Sequence, residues 1–352
     1  MTSWNATDQN RPEELPLSRS KKAKTHFFAI VTRWFGTTEV ETLSEVVVIG
    51  LCTCRRPSML RACLDSLAAQ IAPEGCSLHI VVVDNEARPN ARKGVEAFAS
   101  GCPFPVHYVH EPVRGIARAR NAILDKAFAL GAQWIAMIDD DETAAPDWIE
   151  KLMAPEYRHA PVLCGRRIWV YPEPRPFWAP DTEPRPPAEG AMARHGSTSN
   201  VRFSMALVHA GLRFDENMGL GGGSDQRFFN LAFRCGFALH VTNRAITYET
   251  VHPERLTYRF QISRHYAHSA SLVSHKVKTA GYHVLAGTAP LRLLEVPLGV
   301  LELTVSVPAA MISTRHFKHF ALRGGKRLAK VAGTLAITAG YLPQPYRQIA
   351  GN

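Results

Sequence analysis

Three consecutive aspartates, Asp139, Asp140 and Asp141, close the stretch Trp134-Ile135-Ala136-Met137-Ile138 and are followed by Glu142. Carboxylates this close repel one another, and the arrangement is costly unless a cation or a cationic side chain sits among them. Hard oxygen donors of this kind suit Mg²⁺ or Mn²⁺, whose remaining ligands are commonly substrate phosphates. Aspartate is also favoured in solvated loops and at helix N-caps, so the triplet alone leaves both readings open. Other residues with chemical capacity sit at comparable places. Thr53 and Arg55 follow one apolar run, and Asp84 and Asn85 follow another. Arg114, Arg118 and Arg120 surround the start of a helical stretch, where they would face a diphosphate or simply be solvated. Asp225 follows the segment Gly219-Leu220-Gly221-Gly222-Gly223-Ser224; capping alone would account for an aspartate there.

The elements that must position these residues are legible in the pattern. Glu45 to Leu51 is a β-branched run, Leu78 to Val83 a second, Val106 to Val109 a short third, and Trp134 to Ile138 a fourth, apolar on both faces. Between them, Ser58 is expected to cap a helix through Leu60, Cys63, Leu64 and Leu67, and Gly115 to open one running to about Leu130. Strands alternating with helices imply a mostly parallel sheet covered on both faces. Ligands of such sheets bind beyond the carboxyl ends of the strands. That rule gathers Thr53, Arg55, Asp84 and Asp139 to Asp141 on one edge, where they would make a nucleotide-sized polar site. A helix from about Asp225 to Cys235 and a strand from His240 to Ala245 follow.

Composition narrows the partners. The 352 residues suffice for one large or two smaller domains, and 46% hydrophobic residues supply a sizeable core. A formal charge of +10 points to anionic partners such as phosphates or an acidic membrane face. The seven cysteines form no paired CxxC spacing and read as reduced core thiols. The basic residues concentrate in a tail with apolar runs and not in a recognised reading module, so nucleic acid is not expected as a partner.

The ordered series VVVIGLCTCRRPSMLRACLDSL, VVVDNEA, GIARARNAIL and the strand ending in DDDE resembles the inverting family 2 glycosyltransferases, most closely the succinoglycan-type enzymes of bacterial exopolysaccharide. The resemblance covers roughly residues 45–257. It implies an α/β, Rossmann-like glycosyltransferase A fold (GT-A), a nucleotide-diphosphate sugar donor and a divalent metal, Mg²⁺ or Mn²⁺. Thr53, Arg55, Asp84 and Arg118 then fall on the nucleotide and diphosphate side. Asp139 and Asp141 fall on the first and last positions of the Asp-x-Asp metal motif, and Asp140 in the middle, toward the donor ribose or sugar. Asp225 takes the place of the general base of the family's Glu-Asp pair, with Ser224 where the glutamate is usual.

The second half supplies the acceptor side. Tyr171 to Gly190 is proline-rich and reads as an irregular loop, in which Phe177 and Trp178 would stack on a sugar ring or anchor the loop. Asn200 lies in a stretch similar to the family's Gly-Asn-Val. Glu249, His252 and Arg255 lie in a segment similar to its Glu-x-Val-Pro-x-x-Arg-Leu-Thr ending, with His252 inserted. The expected domains are a partly disordered arm at 1–44, a catalytic domain at 45–257 divided near residue 142, and a helical basic tail at 258–352.

In that tail, Leu291 to Met311 is long enough to span a bilayer, but Arg292, Glu295, Glu302, Pro297 and Pro308 interrupt it. The expectation is interfacial helices on an anionic surface, the cytoplasmic face of the inner membrane, with a packed helical subdomain or a re-entrant hairpin as alternatives. A glycan or polyprenyl-linked acceptor would suit such a tail. Two rivals remain. A nucleotidyltransferase would carry a glycine-rich, lysine-bearing loop after the first strand, whereas this loop is Thr53-Cys54-Arg55-Arg56-Pro57. A non-catalytic scaffold is favoured by Ser224 and opposed by the three aspartates.

Overall fold

The structure, a computed structural model, describes residues 44–181, 184–218 and 223–341. The arm anticipated before residue 44 and the glycines at 219–222 lie outside the described residues. The apolar runs become strands β1 (Glu45–Thr53), β2 (Cys76–Asp84), β3 (Val106–His110) and β4 (Trp134–Ile138). They lie in the order β3-β2-β1-β4 with every neighbouring pair parallel. Both faces are covered, as their apolar sequence requires. Helices α1 (Pro57–Ala68) and α2 (Arg92–Ala99) pack Leu60, Leu64, Leu67, Val95 and Phe98 on one face. Helix α3 (Ile116–Ala129) packs Ala119, Ile123, Leu124 and Ala127 on the other. Gly50 in β1 allows that close approach: a Cβ there would lie 2.4 Å from Ile123 Cγ2.

One local expectation is corrected. Ser58 does not cap α1. Arg56 is the capping residue, without a side-chain bond, and Pro57 takes the first helical position. Proline has no N–H to satisfy there and its fixed φ suits the first turn.

Beyond β4 the sheet continues through β8 (Asn200–Ser204), β6 (Val162–Val170), β9 (Leu239–Thr250) and β5 (Glu142–Ala144), with β7 (Met192–Ala193) paired to β9. The β6–β9 pair is parallel; β4–β8, β6–β8, β5–β9 and β7–β9 are antiparallel. The parallel pairs carry most of the registered residues, and the direction changes where the first four strands meet the second half. The strand expected at 240–245 extends from Leu239 to Thr250 and carries Glu249 near its end. Helices α4 (Trp148–Leu152), α5 (Ala206–His209) and α6 (Ser224–Arg234) complete this part.

The tail folds into α7 (Tyr258–Ala280), α8 (Val284–Leu293), α9 (Glu295–Ile312) and α10 (Thr314–Thr338). Thr257 and Ser313 cap α7 and α10 through their hydroxyls, which accept from Phe260 N and His316 N. Small residues let the helices touch. A Cβ on Gly333 would lie 2.3 Å from the Tyr266 carbonyl, and one on Gly324 2.7 Å from that of Gly299. The segment Val284–Ile312 is long and apolar enough to cross a membrane by length and composition, and 17% of its most apolar window is buried. Leu291, Leu294, Leu301, Val307, Met311 and Ile312 stand exposed along it.

Candidate active site

The carboxyl ends of β1, β2 and β4 bring the polar residues together. Thr53 pairs in register with Asp84, and its hydroxyl donates to Asp140 Oδ2 at 2.8 Å. Asp140 turns inward: its other oxygen accepts from Arg56 Nη1 at 2.9 Å, and only 5% of the residue is exposed. Its carboxylate is thus engaged by the protein, which differs from an orientation toward a donor ribose. Arg56 also reaches Asp141 Oδ2 at 3.2 Å. Arg255 meets the same oxygen at 3.0 Å and holds Glu249 Oε1 at 2.9 Å. Glu249 further accepts from Trp169 Nε1 at 3.0 Å and pairs with Arg167 at 3.2 Å. Two arginines from distant parts of the chain therefore neutralise the aspartate cluster, and the second ties it to β9.

The cluster's carboxyls are nonetheless held away from water. Burial pushes the Asp139 carboxyl up to about 7; Arg120 opposes the shift, while Asp141 and Asp140 add to it. Burial also raises Asp140. Glu142, 1% exposed, is raised well above the usual carboxylate range by burial and then by Asp139. Neither Glu142 oxygen has a hydrogen bond of good geometry; Arg167 stands 3.8 Å away. Among the described residues no three His, Cys, Asp or Glu side chains converge as a ready cage. Buried oxygen donors, those of Glu142 without a hydrogen bond among the described residues, fit a Mg²⁺ or Mn²⁺ ion that keeps substrate phosphates in its shell.

Of the residues expected on the nucleotide side, Thr53 and Asp84 end β1 and β2, and Arg55 lies in the loop after β1. Asp84 Oδ2 accepts from Ala91 N at 2.8 Å, at the start of α2, and from Tyr108 Oη at 2.9 Å. Asn85 fixes the entry to α3: its Nδ2 donates to Glu111 O and Val113 O, and its Oδ1 accepts from Gly115 N at 2.8 Å. Arg55 has φ +56°, in the left-handed region. Such a conformation is uncommon for a side chain of this size and is a strain that clusters at functional sites. Its guanidinium pairs with Glu86, and the two line an open groove with Pro57 and Asn90.

The second half approaches through α3 and α6. Arg120, buried, donates to Ser224 Oγ at 2.8 Å and stacks over Phe214 at 5.6 Å. It lies within electrostatic reach of Asp139. Ser224, where the resemblance has glutamate, is thus the acceptor for a buried cation. Asp225 sits in the first turn of α6 after Gly223 at φ +85°, and Ser197 Oγ donates to its Oδ2 at 3.3 Å. Arg118 pairs with Glu216 at 3.0 Å on the exposed side of α3.

The acceptor-side residues divide. Glu249 joins the Asp141 network, and His252 follows closely: Thr250 N donates to Asp141 O at 3.4 Å. The His252 Nε2 is buried without a partner. Asn200 and Trp178 do not join them. Asn200 Oδ1 accepts from Trp148 Nε1 at 2.9 Å, and its Nδ2 reaches Arg166 O, Ala245 O and Thr247 Oγ1, bridging the register shift between β6 and β9. Trp178 packs against Tyr258 and Phe317, and its carbonyl accepts from Gln261, so it anchors the proline-rich loop to α7 and α10. Arg56, Glu142 and Arg120 are contributors that no local motif singled out for the cluster; only the surplus of acids hinted that cations must converge there.

A parallel nucleotide half with acids at its carboxyl edge, joined to a mixed second half, defines a glycosyltransferase of the GT-A type. The solved mannosyltransferase PcManGT of Pyrobaculum calidifontis, in complex with GDP-Man and Mn²⁺, shares this fold at TM-score 0.53 and 17% identity, covering 82% of this chain and 86% of that one. The family model described as Glycosyl transferase family 2 matches residues 48–212. The succinoglycan biosynthesis protein ExoM of Rhizobium meliloti (strain 1021) is 34% identical over 226 residues, 62% of this chain and 71% of that protein. The galactofuranosyltransferase GlfT1 of Mycolicibacterium smegmatis is 31% identical over 132 residues, 35% of this chain and 41% of that one. The chain belongs to glycosyl transferase family 2.

Proposed function

We propose that this glycosyltransferase moves a sugar, with inversion, from a nucleoside-diphosphate donor to a glycan or polyprenyl-linked acceptor during assembly of an exopolysaccharide. The observation that carries the reading is the meeting, at one sheet edge, of the Asp139–Asp141 cluster with the helix that bears Asp225, joined through Arg120. The similarity to a succinoglycan biosynthesis protein supports the pathway class. The GDP-Man in the mannosyltransferase of the same fold supports a nucleotide-sugar donor.

In the proposed reaction, Asp225 takes the proton of an acceptor hydroxyl as general base. The freed oxygen attacks the anomeric carbon from the face opposite the diphosphate. The bond from that carbon to the diphosphate oxygen breaks, and the electron pair leaves with the diphosphate. Thr53, Arg55 and Asp84 would shape the nucleotide side, and Arg118 would have to leave its partner Glu216 to meet the diphosphate. Asp139 and Asp141 would hold a Mg²⁺ or Mn²⁺ ion, which when bound supplies charge stabilisation to the leaving diphosphate. Arg255 and Arg56 fix the orientation of Asp141, and Glu249 and His252 line the same side.

The exposed apolar side of Val284–Ile312, beside the basic α10, supports a peripheral position on the anionic cytoplasmic face of the membrane. The test is nucleoside-diphosphate release from a panel of UDP-, GDP- and dTDP-sugars with Mn²⁺, Mg²⁺ or EDTA. Metal-dependent release from one donor, lost in Asp141→Ala, is expected; release that ignores both EDTA and the substitution would overturn the assignment.

A further inference from the structure

Between α7 and α10 lies a recess of about 430 Å³, lined by His265, His319, Arg323, Lys326, Arg327 and Lys330. The α10 residues 319, 323, 326, 327 and 330 recur at three- and four-residue spacing, which sets them on one helical face. Helix α7 holds α10 at two points along the recess. Ser269 Oγ of α7 donates to Lys330 O at 2.8 Å, and Tyr258 Oη to Ala321 O at 3.4 Å.

The cations in the recess are not equally occupied. Glu302 of α9 pairs with Arg323 at 2.8 Å and with Arg327 at 2.9 Å. Among the described residues no carboxylate pairs with Lys326 or Lys330. Lys326 is half-buried, and burial lowers its ammonium pKa, with Lys330 and Arg264 adding to the shift. Holding like charges together in a partly dry concavity is unfavourable unless an anion enters it. One residue of α7 senses charges of both the recess and α6. His268, one turn beyond Arg264 on α7, lies within electrostatic reach of Arg264 and Lys330 and also of Asp225.

We propose that this recess binds the diphosphate of a lipid-linked acceptor, with Lys326 and Lys330 as its charge partners and His319 as a further donor. The proposal rests on the reading of the chain as a transferase with a lipid-linked acceptor, and assigns that acceptor's anionic group a place. Two observations favour a diphosphate over a bilayer headgroup. The lysines sit in a concavity, where a compact dianion can be enclosed, and two unpaired ammonium groups match its charge. The apolar side of Val284–Ile312 belongs to the same helical bundle, because α9 touches α10 at Gly299 and Gly324.

The test uses the full chain in EDTA, with farnesyl diphosphate below its micellar concentration as the probe, followed by calorimetry. Phosphatidylcholine vesicles containing phosphatidylglycerol form the second arm, followed by co-sedimentation. Lys326→Ala/Lys330→Ala is expected to weaken farnesyl diphosphate binding by about tenfold or more. Lys326→Arg/Lys330→Arg should retain binding, and vesicle binding should change by less than about twofold because the apolar surface is intact. Equal melting midpoints of the three proteins establish that the fold is unchanged. Farnesyl diphosphate binding that survives the alanine pair, or that falls in step with vesicle binding, would overturn the proposal. Donor turnover by the unaltered chain separates the two readings. Lysine-dependent probe binding in an unaltered chain that releases no nucleoside diphosphate from any donor would sink the catalytic reading alone. Donor turnover with no lysine-dependent probe binding would sink the recess alone.

Discussion

Arg255 is the residue whose removal tests the site's internal logic. Its guanidinium spans two carboxylates, Asp141 at 3.0 Å and Glu249 at 2.9 Å, with about a fifth of the side chain exposed (18%). Removing one member of a buried pair costs roughly 3–5 kcal/mol, and a hydrogen bond to a charged group contributes about 1.5–3 kcal/mol. Both acids keep a second cation in Arg255→Ala: Asp141 retains Arg56 at 3.2 Å, and Glu249 retains Arg167 at 3.2 Å. The net loss should therefore fall to about 2–4 kcal/mol. If Asp141 must be held in place for turnover, that is roughly 30- to 1,000-fold in kcat/KM. Arg255→Lys keeps the charge but cannot fork across two carboxylates, so it should recover only part of the loss. Nucleoside-diphosphate release is the assay, run as a double-mutant cycle with Glu249→Gln. A coupling above about 1 kcal/mol between the two positions is expected. Full turnover in Arg255→Ala, or coupling near zero, would refute the idea that β9 orients the aspartate cluster.

Other outcomes follow from the same contacts. Asn200→Ala strands the Trp148 N–H and the carbonyls of Arg166 and Ala245. It should destabilise by about 3 kcal/mol, lowering the melting midpoint by roughly 5–10 °C while donor affinity holds. A loss of turnover with an unchanged midpoint would instead return Asn200 to the acceptor side. His79 Nδ1 and His107 Nε2 lie 3.0 Å apart, so at least one ring must be neutral. Burial lowers the pKa of both, with Lys126 adding to the shift. Because the folded values lie below the unfolded one, stability is full above about pH 6.5 and declines as pH falls through the folded values. His107→Asn should flatten that decline in urea midpoints measured between pH 7.5 and 5.5, and an unaltered slope would assign it to other groups. Ser224→Ala leaves a buried Arg120 donor unpaired and should cost about 1–3 kcal/mol in a denaturation series.

The parallel half of the fold was legible because β1, β2 and β4 announce themselves locally, as largely apolar runs ended by a polar residue, with the short β3 (VHYVH) the weaker signal. The sheet-edge rule then gathered Thr53, Asp84 and the three aspartates without any long-range information. What it could not supply was their counter-ions. Arg56 and Arg255 meet Asp141 across 85 and 114 residues of sequence, and no spacing encodes such a meeting. Asn200 misleads for a related reason: its side chain suits a ligand, but a sheet irregularity already uses it. Trp178 takes the anchoring role that its sequence left open beside sugar stacking. Ser58 failed because Pro57 had taken the helix start. In the tail, charge and apolar runs were readable, whereas the lysine-lined recess exists only once α7 and α10 pair.

The most direct test of the central claim is steady-state transfer by Asp225→Asn against the unaltered chain, with the donor found in the panel and Mn²⁺ present. Loss of a positioned base should lower kcat by about 10²- to 10⁴-fold. Donor affinity should stay within about twofold, because the substitution lies on the acceptor side of the site. Full transfer by Asp225→Asn, or a loss of donor binding equal to the loss of turnover, would contradict the assignment of Asp225 as the base.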